Sequence, residues 1–392
     1  MLQSCPPLPV CGEFPSSQGA TIDRNTPLKY GYTDAYIARI AASVNRSWPG
    51  FDRAAFTALI LASNWDELEL KDRMRCISRA LDETLPSDFS EALATLDPVL
   101  HEFSGFLAMF FPHFLERRIA RDFEANWELG VLALARFTVH SSSEFAVRPL
   151  ILQNPARMLG QMLDWTSSDC EHVRRLASEG SRPRLPWAMA LPALKHDPTP
   201  LLPILEALRD DPSEYVRRSV ANSWNDISKD HPGIVLEMAE RWLEETPSIS
   251  STGDRRRLVK HACRTLLKAG SPLAMVLFGF RDPKALHAEA FRLERPTIRL
   301  GDSLEFTFRI ASKSSIGRVR IEYAVFYQKA NGSMSPKVFK ISELDCVGKQ
   351  RTVTRRHKFR DLSTRKHHAG PHAIELRLNG VPKAKLGFEL RL

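Results

Sequence analysis

Four stretches of this chain echo one another: EFAVRPLI (144–151), EHVRRLAS (171–178), EYVRRSVA (214–221) and RRLVKHAC (256–263). Aligned on Val147, Val173, Val216 and Val259, they stand 26, 43 and 43 residues apart. Each places a valine before Arg or Lys inside a helical pattern that follows a polar turn. A helical pair of that length cannot bury its apolar face alone. Neighbours must stack, and the stack is a curved solenoid with an extended concave surface. Outward from these stretches, the same grammar holds from Tyr30 to about Phe280. Apolar residues recur at three and four positions, as in FTALILASNWDELEL (56–70) and FEANWELGVLALARFTVH (123–140). The breaks LDPV, QNP, HDPTP, DDPS, DHP and ETPS are expected to end one helix and cap the next. Residues 30–282 are therefore predicted to be all-α.

The repeat period is that of HEAT or armadillo proteins, so a HEAT-like α-solenoid is the expected architecture. After Pro283 the period changes to two. AFRLE, TIRLG, SLEFTFRIA, RVRIEYAVFY, KVFKISEL, TVTRRHKF, HAIELRL and AKLGFELRL alternate apolar and polar residues. Turn signals stand at Gly301-Asp302, Asn331-Gly332, Ala369-Gly370 and Asn379-Gly380, the last a type I′ hairpin signal. Residues 286–392 thus read as a small all-β immunoglobulin-like antiparallel sandwich. Residues 1–29, rich in Pro, Ser and Gly, read as a flexible arm.

The 392 residues are 43% hydrophobic and 26% charged, ordinary globular composition for two or three domains. The net charge of +9 is unevenly placed. Residues 281–392 hold 24 Lys+Arg against 11 Asp+Glu, whereas the rest of the chain is slightly acidic. Such an excess implies a polyanionic partner for the tail, with a solvated basic surface as the alternative. Six cysteines without a CxxC pair argue against a zinc ribbon or a disulfide scaffold and fit a reducing compartment. The apolar run 103–114 is broken by Pro112 and His113, and the N-terminus lacks a basic n-region and a long apolar h-region. A cytoplasmic protein is expected.

No Walker loop, GxSxG, HExxH or glycine fingerprint occurs in the helical part. His357, His367, His368 and His372 read as solvated or phosphate-facing, and no metal or other cofactor is expected. Cys170 and His172 have no third partner for nucleophilic chemistry. The informative residues are polar ones inside repeat helices. The spacing can stack Glu144, Trp187 and Asp226 along one groove, among Arg148, Arg175, Arg182, Arg184, Lys260 and Arg264. The bland alternative is pairing of Arg and Glu as solvated surface charges. SRPRLPW (181–187), two arginines between prolines beside a tryptophan, favours the groove.

At these residues the chain resembles the AlkC branch of the HEAT-like alkylpurine DNA glycosylases. The likeness rests on SSEFAVRP, HVRRLASEGSRPRLPW, YVRRSVANSWNDISKDHP and LVKHACRTLLKAG, and extends upstream through FDRAAFTALILASNWDELELKDRMRCISRALDETLPSDFSEAL. The tail resembles the immunoglobulin-like extension of one subgroup. Trp224 departs from the family's Asn-Leu-Asn-Asp pattern and reads as a core residue. The resemblance implies a monomeric bacterial base-excision-repair enzyme, acting at the nucleoid on alkylated double-stranded DNA. It would hydrolyse the N-glycosidic bond of cationic 3-methyladenine or 3-methylcytosine without base flipping. Glu144, Glu179, Trp187 and Asp226 would be its catalytic residues, with Asp226 first and Glu144 second to orient water. Basic residues of the tail strand, Arg355, Arg356 and Lys358 among them, are expected to add phosphate contacts. The competing readings are an inactive HEAT-like DNA-binding scaffold and a protein–protein adaptor.

Overall fold

The computed structural model describes residues 26–62, 64–246, 252–361 and 366–392. The expected arm therefore lies almost wholly outside the described residues. The change of grammar is real: the last α-helix is Pro272–Leu277 and the first β-strand is His287–Leu293. Compactness divides the chain differently from the change of period. One unit runs to Asp230 and takes in Thr246–His261, and the other comprises His231–Glu245 and Ala262–Leu392.

Of the expected breaks, QNP, HDPTP, DDPS and DHP mark helix boundaries, and QNP alone of these supplies a side-chain cap to an α-helix. One break is an exception, and Pro247 and Ser248 of ETPS lie outside the described residues. Asn154 caps the helix Pro155–Trp165 by accepting from the Arg157 amide, with Pro155 at the first helical position. Asp52, Asp88 and Asp122 cap helices in the same way. The exception is LDPV: Pro98 lies in the last turn of Phe89–Leu100 and does not end it. Near a C-terminus a proline forfeits only one bond of a ladder that is about to finish.

The repeated Val-Arg pair has a structural meaning on both residues. Val147, Val173, Val216 and Val259 are at most 1% exposed, each contributing about 1.5–3 kcal/mol of burial. The arginine staples one repeat to the next. Arg174 donates to the carbonyls of Ser168 and Asp169 behind it and pairs with Asp211 ahead at 2.6 Å. Arg217 repeats the pattern one period later, donating to the carbonyls of Asp211 and Pro212 and pairing with Asp254 at 3.0 Å. Nearby, Arg255, 1% exposed, pairs with Asp210.

A second polar contact in this unit sets a pH dependence. Between the helices Leu70–Thr84 and Phe110–Arg121, His113 bonds Ser78 at 2.8 Å and lies 3.9 Å from Glu116. Burial pushes Glu116 up to about 7, against the opposing pull of Arg75 and Arg117, and pushes His113 down to about 4. A raised carboxyl pKa means that the folded state holds more protons than the unfolded one between about 4.5 and 7. Its contribution to stability is therefore lost as pH rises through that window. Glu116→Gln, a neutral mimic of the protonated acid, is expected to raise the urea midpoint at pH 8 and leave it nearly unchanged at pH 5. An equal shift at both values would show that Glu116 does not titrate there.

The tail forms two sheets from β1 (His287–Leu293), β2 (Thr297–Arg299), β3 (Ser303–Ala311), β4 (Gly317–Gln328), β5 (Met334–Cys346), β6 (Gln350–Lys358), β7 (Gly370–Leu378) and β8 (Val381–Arg391). The strand orders are β1-β3-β6 and β2-β8-β7-β4-β5. The expected antiparallel sandwich needs one correction, because the short β2 pairs parallel with β8. Leu304, Phe306, Phe308 and Ile310 of β3 alternate inward to meet Val319, Ile321, Tyr323 and Val325 of β4 in one core. Asn379-Gly380 makes the two-residue hairpin between β7 and β8, with φ values of 48° and 77°. A side chain on Gly380 would also strike the backbone of Gly270.

Of the four tail histidines read as solvated or phosphate-facing, three turn inward, and His368 is half-buried. Both ring nitrogens of His357 are bonded, to the Tyr323 and Tyr327 hydroxyls at 2.9 Å each, and His367 and His372 are buried. On β6, Arg351 and Arg355 share the face of the inward Val353 and His357, whereas Arg356 and Lys358 lie on the opposite face. Arg355 stays exposed because β6 is an edge strand.

Candidate active site

The first unit assembles the groove residues into one chain of alternating charge. Arg175 lies 3.0 Å from Glu144 and 3.8 Å from Glu179. Arg182 donates to Glu179 at 2.6 Å and to Asp226 at 3.0 Å, and Lys229 closes on the other Asp226 oxygen at 3.0 Å. The helix Glu171–Gly180 supplies Arg175 and Glu179, and the helix Glu214–Ile227 supplies Asp226. These two helices pack closely through a bond between the Ser178 and Ser219 hydroxyls at 2.7 Å. The pairing of Arg with acid anticipated as the bland alternative is present, but it is not solvated. Glu179 is 5% and Asp226 2% exposed, and the Glu144 side chain is the most open of the three carboxylates. Burial lowers Arg175, yet Glu144 and Glu179 outweigh it and hold the guanidinium above its ordinary pKa. Each acid is held by a cation in this chain, so the three carboxylates are fixed partners rather than flexible surface charges.

Arg148 is corrected from a DNA contact to a structural residue. It is fully buried, and it occupies the motif position at which Arg174 and Arg217 staple repeats. Here the guanidinium instead closes the loop that bears Trp187. Nε donates to the Met189 carbonyl at 2.7 Å, and Nη1 donates to Gly180 and Arg182 at 2.9 and 2.8 Å. Burial, with Arg182 adding repulsion, lowers it to about 10, so it remains charged at neutral pH. Across the loop that it closes, Trp187 stands 62% exposed with φ at 64°, a left-handed conformation costly for a side chain of this size.

The remaining sequence candidates are distributed less simply. Arg184 is held by both oxygens of Asp230, at 2.6 and 2.7 Å. Lys260 is half-buried in the helix Thr252–Ala262, and Arg264 opens the helix Arg264–Ala269 in the other compact unit. Arg355, Arg356 and Lys358 are all exposed, with Arg356 tied to Glu305 across the β3–β6 pair. Trp224 is 2% exposed and belongs to the core, as its departure from the family pattern suggested. Sequence reading missed Lys229, although its place three residues after Asp226 is the helical spacing for such a pair. It also missed Phe106, whose ring stands against Trp187. Among the described residues no group of His, Cys, Asp and Glu is arranged to hold a metal ion, and no helix is long and apolar enough to cross a membrane.

Comparison with known proteins bears on the whole of this arrangement. A family model described as the C-terminal Ig-like domain of the uncharacterised protein YhaZ matches residues 287–392. The chain is 42% identical over 364 residues to uncharacterized protein YhaZ of Bacillus subtilis (strain 168), spanning 93% of this chain and 99% of that one. It is also similar to the alkylpurine DNA glycosylase AlkC of Pseudomonas fluorescens, whose structure was solved bound to DNA containing an abasic site analog. That match has a TM-score of 0.86 and 34% identity, and covers 94% of this chain and all of that one. A likeness so complete spans both the helical repeats with their buried carboxylates and the strand-rich tail. The chain therefore belongs to the AlkC family of alkylpurine DNA glycosylases, in the form that ends in an immunoglobulin-like domain.

Proposed function

We propose that this protein hydrolyses the N-glycosidic bond of cationic N3-alkylated bases, 3-methyladenine and 3-methylcytosine, in duplex DNA, and that it does so without flipping the base. The observation that supports this most is the fixed set Glu144, Glu179 and Asp226, held by Arg175, Arg182 and Lys229. Alkylation at N3 gives the base a formal positive charge. When the C1′–N bond breaks, its electron pair neutralises the base, which leaves without protonation by a general acid. The sugar becomes an oxocarbenium cation, and water adds at C1′ and gives up a proton, leaving an abasic site and a free base.

The protein's task is then electrostatic. A carboxylate ~4 Å from the cation supplies about 4 kcal/mol at an effective dielectric near 20, roughly a thousandfold in rate. Prior fixing by Arg175, Arg182 and Lys229 means that the acids need not reorganise as charge develops. Glu144, the most open of the three, is the best placed to meet water from solvent. Asp226 acts on the sugar chiefly through its charge, since Arg182 and Lys229 occupy its oxygens. Trp187 offers an exposed π face to a cationic lesion, worth about 0.5–2 kcal/mol. An exposed ring suits a lesion met at the protein surface rather than one extruded into a pocket.

Phosphate contacts are proposed for Arg184, which can exchange Asp230 for a phosphate, for Lys260 and Arg264, and for Arg355 and Lys358 of the tail. Each contact contributes about 0.9 to the slope of log affinity against log salt. Replacing Arg355 and Lys358 together by glutamine is expected to flatten that slope by about 1–2. An unchanged slope would assign these residues to a solvated surface. The second reading, an inactive DNA-binding scaffold, draws on the same geometry, because every carboxylate of the set already has a cationic partner. Incubation with methylated duplex DNA, followed by mass spectrometry of released bases, separates the two. The glycosylase releases 3-methyladenine and 3-methylcytosine, whereas a scaffold binds the DNA and releases nothing.

A further inference from the structure

Trp187 presents a mechanical problem. Its ring is mostly exposed and its backbone is strained, so the loop closed by Arg148 fixes where the residue begins but not how its ring lies. The aromatic neighbour that meets the ring is Phe106, at 5.4 Å between centroids and 89° between planes. In a perpendicular pair one ring's edge meets the other's face, so at least one indole face stays open. Phe106 has a second aromatic neighbour of its own. Phe145, the residue after Glu144, stands against it at 6.3 Å and 81°, and the Lys71 ammonium lies 4.8 Å over the Phe145 ring.

The backbone is fixed as well. Gly105 adopts φ 72°, which a side chain would resist, donates its amide to the His140 carbonyl at 3.0 Å, and accepts from the Ser141 hydroxyl at 2.9 Å. Ser141 begins the turn that delivers Glu144, whose carboxylate accepts from Ser142. One turn thus fixes both an acid of the charged chain and the ring that meets Trp187. We propose that Phe106 is a positioning residue that holds the Trp187 indole with one face presented to the cationic lesion. The proposal rests on the reading of Trp187 given above.

The test uses the full chain with duplex DNA containing one 3-methyl-2′-deoxycytidine. Single-turnover rates at saturating protein and dissociation constants are measured separately for the wild type, Phe106→Leu, Phe106→Tyr, Trp187→Ala, and Trp187→Ala with Phe106→Leu. Phe106→Leu keeps the bulk but removes the ring, and its rate is expected to fall about threefold to tenfold, with affinity for undamaged DNA within about twofold. Phe106→Tyr restores the rate. In the Trp187→Ala background, Phe106→Leu causes no further loss. In 5-fluorotryptophan-labelled protein, the ¹⁹F resonance of Trp187, assigned by its loss in Trp187→Phe, shifts or broadens in Phe106→Leu. Full activity in Phe106→Leu, the same loss in the Trp187→Ala background, or an unmoved resonance would each overturn the proposal. Should Trp187→Ala itself keep the wild-type rate, the reading of Trp187 fails, and the fluorine resonance alone decides whether Phe106 holds the ring.

Discussion

Replacing Asp226 by asparagine is expected to lower the single-turnover rate of base release by about thirtyfold to a thousandfold, with DNA affinity nearly intact. The estimate follows from one unit charge ~4–8 Å from the forming sugar cation at an effective dielectric near 20, or about 2–4 kcal/mol. An amide keeps the shape of the side chain and one acceptor oxygen, but it abolishes the charge that Arg182 and Lys229 hold in place. Saturating protein removes binding from the comparison, so only the bond-breaking step is read. A wild-type rate in this variant would exclude Asp226 from catalysis.

Arg148→Met should cost on the order of 3 kcal/mol of stability, because it leaves the buried carbonyls of Gly180 and Arg182, and the partly buried one of Met189, without their donor. The loss would show as a lower urea midpoint for the unit that contains Arg148. The rate should fall too, since the Trp187 loop loses the group that closes it. Arg148→Lys keeps a charge but cannot span donors to both ends of the loop, so it should recover only part of either loss. Wild-type stability in Arg148→Met would refute the closing role.

The contrast between Arg148 and its repeat equivalents shows what a sequence can and cannot disclose. The Val-Arg recurrence was legible, and it correctly marked stacked helical pairs, because all four repeats bury the valine and two of them use the arginine as a staple. The same letters hid the divergence at Arg148. Its partners are backbone carbonyls more than thirty residues away, and carbonyls have no letter of their own. Glu144, Glu179 and Asp226 were legible as polar residues in places that favour apolar ones. Their pairing through Arg175 and Arg182 depends on rotamers and helix packing, which spacing does not fix. Period two identified the strands of the tail. It could not foresee that β2 joins β8 in parallel, or that His357 turns inward to two tyrosine hydroxyls. Phe106 escaped notice because a phenylalanine after a glycine in a helical region reads as ordinary core.

The claim on which the account turns is that the charge of the alkylated base, met by fixed carboxylates, makes a general acid unnecessary. It is tested most directly by comparing single-turnover release from two duplexes at saturating protein. One contains 3-methyl-2′-deoxyadenosine, and the other its neutral isostere 3-deaza-3-methyl-2′-deoxyadenosine. The account predicts release of the cationic base and none of the neutral one, although the protein binds both duplexes. Comparable release of the two would contradict it, since a neutral base can leave at such a rate only if the protein supplies a proton.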